Sequence, residues 1–221
     1  MTRESMTRES MTRGSMTRES QTRGRLMGSM ALVAGCLVAR DALERTMWLH
    51  MLVQIPLLIA AGVIASGVIA SRTTSPESGW LSRWNRQGMS GLVLAAGGVA
   101  FWMIPRWLDA AVGHVGVDVA KALSLWAVGV VGARSWRAAG AIVQLFVLGN
   151  TAWMTATVGM LLLDAPTRVC VNYGASDQRL AGYGLLMVTL VVVVKALLRA
   201  SVAIPVPTGR DAPLSAHLDT L

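Results

Sequence analysis

Long uninterrupted apolar runs alternate with short polar intervals along most of this chain. Six runs stand out, at residues 26–39, 47–70, 88–104, 115–133, 138–163 and 180–200. A helix needs about 20 such residues to cross a hydrocarbon core about 30 Å thick. The first run is short, and spans only if the helix extends back through Thr22 with Arg23 and Arg25 reaching outward. A membrane barrel would show alternating segments of about ten residues, and these runs are continuous. The pattern predicts an all-α polytopic membrane helical bundle of about six transmembrane helices, over residues 26–203. Small residues recur inside the runs (Ala61, Gly62, Ala65 and Ser66; Gly129 and Gly132; Gly182 and Gly184) and predict close helix contact. Pro56 predicts a kink.

Two polar ends flank the bundle. Residues 1–20 repeat a pentapeptide, MTRES, with one MTRGS copy, and the pattern decays over 21–25. Each MTRES unit carries a charge pair, and no unit has a core-forming residue except Met, so 1–25 are expected to form a disordered cytoplasmic tail. Two readings of the repeat compete, an interaction arm and slippage-driven expansion without a role. Residues 204–221 form a polar C-terminal tail. The start is too polar for a cleavable signal peptide, and the first apolar run is expected to stay as an anchor.

Charge orients the bundle. The chain is only 14% charged, with a formal net charge of +8. With the N-terminus in the cytoplasm, fourteen Lys and Arg fall on that side and five on the other, with Lys121 inside a run. Dropping the repeat's four arginines leaves ten against five, so the positive-inside rule puts both termini in the cytoplasm, in a bacterial inner membrane. The surplus cation is then loop charge. No recognition helix and no aromatic–arginine alternation point to nucleic acid.

With that orientation the unusual polar residues gather at the outer side. Glu44, Met47, Met51 and Gln54 are spaced three, four and three apart, with His50 one turn from Met47 and from Gln54. Imidazole with thioether suits copper, and thioether favours Cu(I); the competing reading is a methionine packing face with a hydrogen-bonded histidine. His114, Asp118 and Lys121 share a second helix face. They read either as a ligand or proton-relay group, or as a structural ion pair, because charge at membrane depth is costly unless it faces an interior. Cys36 and Cys170 fall on the same side, and a disulfide, a copper thiolate pair and two unrelated buried thiols all remain open. Asp177 and Gln178 open the last run. Trp48, Trp80, Trp84, Trp102 and Trp107 read as interfacial belt residues. No GxGxxG, Walker, GxSxG, HExxH or CxxCH motif occurs, so an enzyme is not expected.

The stretch from Glu44 through His50-Met51 to Gln54 resembles the HM-x-x-(Q/H) helix of CtaG-like cytochrome c oxidase assembly factors. Ile104-Pro105-Arg106-Trp107-Leu108-Asp109 resembles their proline-containing outer segment, and Asp118-Val-Ala-Lys121 their next helix entry. Pro166 to Tyr173, followed by Asp177-Gln178 and Gly182, resembles their D-Q-x-x-x-G helix start. The resemblance covers residues 40–184. It implies a membrane protein tied to haem–copper oxidases through copper handling. His50 and Met51 would be the metal-side pair, aided by Met47, His114 or Cys170, beside a polar cluster of Glu44, Gln54, Asp118, Lys121, Asp177 and Gln178. Gln54 stands where relatives place a second histidine. A structural subunit of a respiratory or other redox complex, and a haem- or quinone-binding protein using His50 and His114, are the alternatives.

Overall fold

The structure is a computed structural model that describes the backbone of residues 3–72, 84–170 and 172–203, and side chains over 20–69, 84–170 and 172–202. His217, the loop around Pro76 with Trp80, and the polar C-terminal tail lie outside the described residues. Within them every regular element is a helix.

The elements are α1 (Arg3–Val38), α2 (Arg40–Leu43), α3 (Met47–Leu49), a π-helical turn (His50–Gln54), α4 (Ile55–Arg72), α5 (Met89–Trp102), α6 (Pro105–Gly113), α7 (Val115–Ala138), α8 (Ala141–Asp164) and α9 (Ala175–Ala203). Four helices are long and apolar enough to cross a membrane: Met47–Ile69, Val115–Ala138, Ala141–Asp164 and Ala175–Val202. The bent pair α5–α6 makes a fifth if it counts as one span. This is fewer than six. The apolar part of α1 at 26–39 would reach only about 21 Å at 1.5 Å per residue, and it packs along α4. The repeat, expected to be irregular, is drawn as helix continuous with that segment. Its units put a glutamate four residues ahead of an arginine, a spacing that favours helix.

The run at 88–104 forms one helix, α5, and α6 follows it at the end of the run. The two helices meet at 67°. Ile104 is extended (φ −70°, ψ 123°) and Pro105 is the first residue of α6. A residue before proline is pushed out of the helical region, and proline fits the first helical turn, where no N–H is needed. The break follows from that dipeptide.

Without a hydrophobic driving force between helices in lipid, close backbone approach must supply the contact. α4 and α7 run side by side in the same direction, touching at Gly62 and Gly129. A Cβ on Gly62 would overlap the Trp126 carbonyl oxygen, and one on Gly129 that of Ile59. Antiparallel α1 covers them. Ser29 Oγ donates to the Ala61 carbonyl at 2.8 Å, and Trp126 Nε1 donates to Ser29 Oγ at 3.0 Å. α5 runs antiparallel to α7, with Trp102 Nε1 donating to Ser124 Oγ at 2.7 Å. Trp102 is therefore buried and not a belt residue. α8 and α9 form a hairpin that meets at Gly159 and Gly182. Their outer faces are apolar and exposed, as at Ile142, Trp153, Met187 and Leu198.

Candidate functional site

At one end of the bundle polar side chains from three separate stretches of chain gather around an ammonium group, four of them approaching it directly. Lys121, on the second turn of α7, is fully buried. Its Nζ lies 2.7 Å from Glu44 Oε1, 2.8 Å from Asp118 Oδ1, 3.2 Å from His50 Nε2 and 3.4 Å from Gln54 Oε1. Gln54 Nε2 also donates to Glu44 Oε1 at 3.3 Å. Beyond the imidazole, His50 Nδ1 meets the Tyr173 hydroxyl at 2.8 Å. Asp118 Oδ2 sits 3.9 Å from Arg40 Nη1, an ion pair too long for a hydrogen bond. Asp118 approaches Lys121 closely but without hydrogen-bond alignment, so its contact there is also ionic.

Local structure explains the convergence. The π-helical turn over His50–Gln54 bonds i to i+5, as Ile55 N–H does to the His50 carbonyl. The wider turn brings His50 and Gln54, four residues apart, to face one side. Such turns often accompany functional positions. Pro56 follows directly, and its missing N–H is accommodated where the ladder already changes register. On α7, Asp118 and Lys121 are three apart and share a face. Tyr173 is delivered by the loop before α9. Gln178 fixes that loop: its Oε1 accepts from Val169 N at 2.9 Å, and its Nε2 donates to the Leu162 carbonyl at 3.0 Å. Asn172 Nδ2 ties the same loop to Asp109 Oδ1 at 3.1 Å.

The formal charges balance, with Arg40 and Lys121 against Glu44 and Asp118. This makes the burial bearable, since an unpaired charge in such a place would cost several kcal/mol. Burial raises the Glu44 carboxyl above its usual range, and Lys121 pulls it partly back. In the loop, burial pushes the Cys170 thiol up to about 11, with Asp109 adding to the effect. Burial also raises the Tyr173 phenol. Lysine is donor-only, so His50 Nε2 accepts from it and His50 Nδ1–H donates to Tyr173. The result is a hydrogen-bonded path from Tyr173 through His50 and Lys121 to the Glu44 carboxylate, with Asp118 held beside it by charge, able to hold or pass a proton.

The expected copper set does not assemble here. Both ring nitrogens of His50 are engaged, and the nitrogen facing the site has an ammonium 3.2 Å away. A second cation there would be repelled by Lys121, so the residues as arranged do not fit copper. Met47 and Met51 are buried in the apolar core with Cys36, Ile55 and Leu58. They pack, as the alternative reading of that face required. His114 is exposed at the start of α7, where its backbone carbonyl accepts from Val117 and Asp118; its ring is not in the cluster, so Asp118 and Lys121 work without it. Among the described residues His50 is buried and His114 exposed, and they form no facing pair for haem. Cys36 and Cys170 are both buried free thiols and make no disulfide. Asp177 is half-buried in the first turn of α9, and Gln178 braces the loop, so neither touches Lys121. Among the described residues no group of three or more His, Cys, Asp or Glu is arranged to hold a metal.

Sequence reasoning placed Glu44, His50, Gln54, Asp118 and Lys121 at one end but missed their hub. It also passed over Arg40 and the role of Tyr173. One signal was available for Tyr173: it is one of two tyrosines in the chain, set in an otherwise polar loop.

Fold and site together define an all-helical bundle, with helices of membrane-crossing length and a buried charge cluster at one end. Comparisons with protein-family models, curated proteins and solved structures return no match.

Proposed function

We propose that the chain is an inner-membrane accessory protein of a respiratory haem–copper oxidase, with the Lys121 cluster as its working centre. The carrying observation is spatial. The stretches that resemble oxidase assembly factors are far apart in sequence, yet they meet through Lys121–Glu44, His50–Tyr173 and Asn172–Asp109. A set of short motifs that converges on one buried centre behaves as one site. Arginines concentrate at the opposite end, with Arg25 over Gly67 and Arg137 Nη2 donating to Ser66 Oγ at 3.1 Å. That end is assigned to the cytoplasm, which puts the cluster toward the outer face.

The role follows from the chemistry of the centre. A neutral network of two cations and two carboxylates fixes the end of the bundle in one geometry and offers a proton-holding surface near an outer loop. Copper carried on His50 is not part of the proposal, because Lys121 occupies the ligating direction. Affinity purification of the full chain from solubilised membranes tests the reading. Oxidase subunits are expected in fixed ratio, with a haem absorption band from the partner, and Lys121→Met should lower the yield of the complex. Recovery of the wild-type chain alone, with oxidase content unchanged in its absence from cells, would overturn it.

A further inference from the structure

Away from the cluster, a cavity of about 520 Å³ opens at the middle of the bundle, between α5, α7 and α8. Its walls are aliphatic, built from residues such as Ala96, Val99, Gly132 and Val158, and no charged side chain lines it. The lining on α5 runs from Leu92 to Ala100, about 12 Å along the helix, and continues through Met103 to Pro105. Three polar side chains join the lining, Asn150, Thr151 and Thr155; Thr151 Oγ1 donates to the Val147 carbonyl at 2.8 Å, and the amide is the most polar of the three. Asn150 lines the cavity, is exposed, and lies about 14 Å from the start of α8, near the middle of that span. Its amide donates to Met154 Sδ at 3.6 Å, and thioether sulfur is a weak acceptor. An amide at the centre of a bilayer is costly unless it is hydrogen-bonded.

We infer that this cavity binds a neutral, membrane-dissolved ligand with a long hydrocarbon chain, whose carbonyl or hydroxyl oxygen is bonded by Asn150. Three observations select that chemistry. The volume lies in the range of small-molecule sites, about 300–1,000 Å³. The absence of charged lining residues and the depth exclude a phosphate headgroup, which stays at the interface. The walls come from several helices at once, which suits a flexible chain better than a partner helix about 10 Å across. Gly132 lines the cavity on α7, facing Ala95 on α5. The inference rests on α8 crossing a membrane, and does not depend on any oxidase.

The full chain in phosphatidylcholine nanodiscs, titrated separately with decylubiquinone and with dioctanoylglycerol, tests it through thermal stability and bound stoichiometry. One probe is expected to bind saturably at one per chain, and which one binds separates a quinone-type ligand from a neutral glyceride. Asn150→Leu should weaken that binding at least tenfold. Ala96→Phe, which fills the cavity and leaves the amide, should abolish it, with helix content by circular dichroism as the folding control for both. Saturable binding of neither probe would overturn the inference. So would equal binding by wild type and Asn150→Leu, or an Asn150-dependent dimer, which would give the amide to a second copy.

Discussion

The contact between α4 and α7 handles polar groups in opposite ways at its two ends. At the Lys121 end Lys121, Glu44 and Asp118 are buried and pair ionically with one another, with the partly exposed Arg40 beside them. At the Arg137 end a guanidinium lies at the rim and bonds Ser66 Oγ and the Ala133 carbonyl. Between them the helices meet through glycine backbones. The comparison teaches that burial, and not the number of charged residues, decides what a polar group contributes. A rim arginine can exchange its partner for water or headgroups. Lys121 has no such alternative, so its neighbours are fixed with it.

That contrast can be broken most severely at Lys121. Lys121→Met strands two buried carboxylates and should cost about 3–5 kcal/mol, seen as a large drop in the detergent unfolding midpoint; adding Glu44→Gln should recover much of it. Next comes the glycine contact. Gly129→Val forces α7 off α4 and should cost about 1–3 kcal/mol, again in the unfolding midpoint. Tyr173→Phe removes one hydrogen bond to buried His50 and should cost about 1–2 kcal/mol. Arg137→Gln at the rim should cost less than about 1 kcal/mol, and an effect as large as that of Lys121→Met would erase the difference between the ends.

Alkaline pH sharpens the same point in the loop above the cluster. Cys170 has a folded-state value raised to about 11 from the usual 9, so the folded chain holds that proton more tightly than the unfolded chain. Its stabilising contribution is complete below pH 9 and is lost as pH rises toward 11. Unfolding midpoints measured across that window should fall for the wild type and fall less for Cys170→Ala. Tyr173, also raised, supplies the remaining decline above pH 10.

Much of the fold was legible because apolar run length and turn chemistry are local properties. The runs at 47–70, 115–133, 138–163 and 180–200 coincide with four helices of crossing length. The bend at Ile104-Pro105 is equally local, but hydropathy alone ends the run at 104 and does not register the short helix that turns away after it. The first run shows the limit from the other side, since being apolar did not make it long enough. At the site, helical spacing put Asp118 beside Lys121 and His50 beside Gln54. Spacing could not foresee a π-helical turn, nor that Glu44 and Tyr173, 129 positions apart, would join the same network through Lys121 and His50. It also overvalued Met47, Met51 and His114, whose residue types suit metal. Type says nothing of which way a side chain faces, and the two methionines face the core while the histidine faces out.

The coupling between Glu44 and Lys121 tests the central claim most directly. Unfolding free energies of wild type, Glu44→Gln, Lys121→Met and the double variant close a double-mutant cycle. A shared buried centre predicts a coupling of at least about 1.5 kcal/mol, with the double variant more stable than Lys121→Met alone. Additive effects would mean that the two side chains do not meet, and the site would dissolve into separate surface charges.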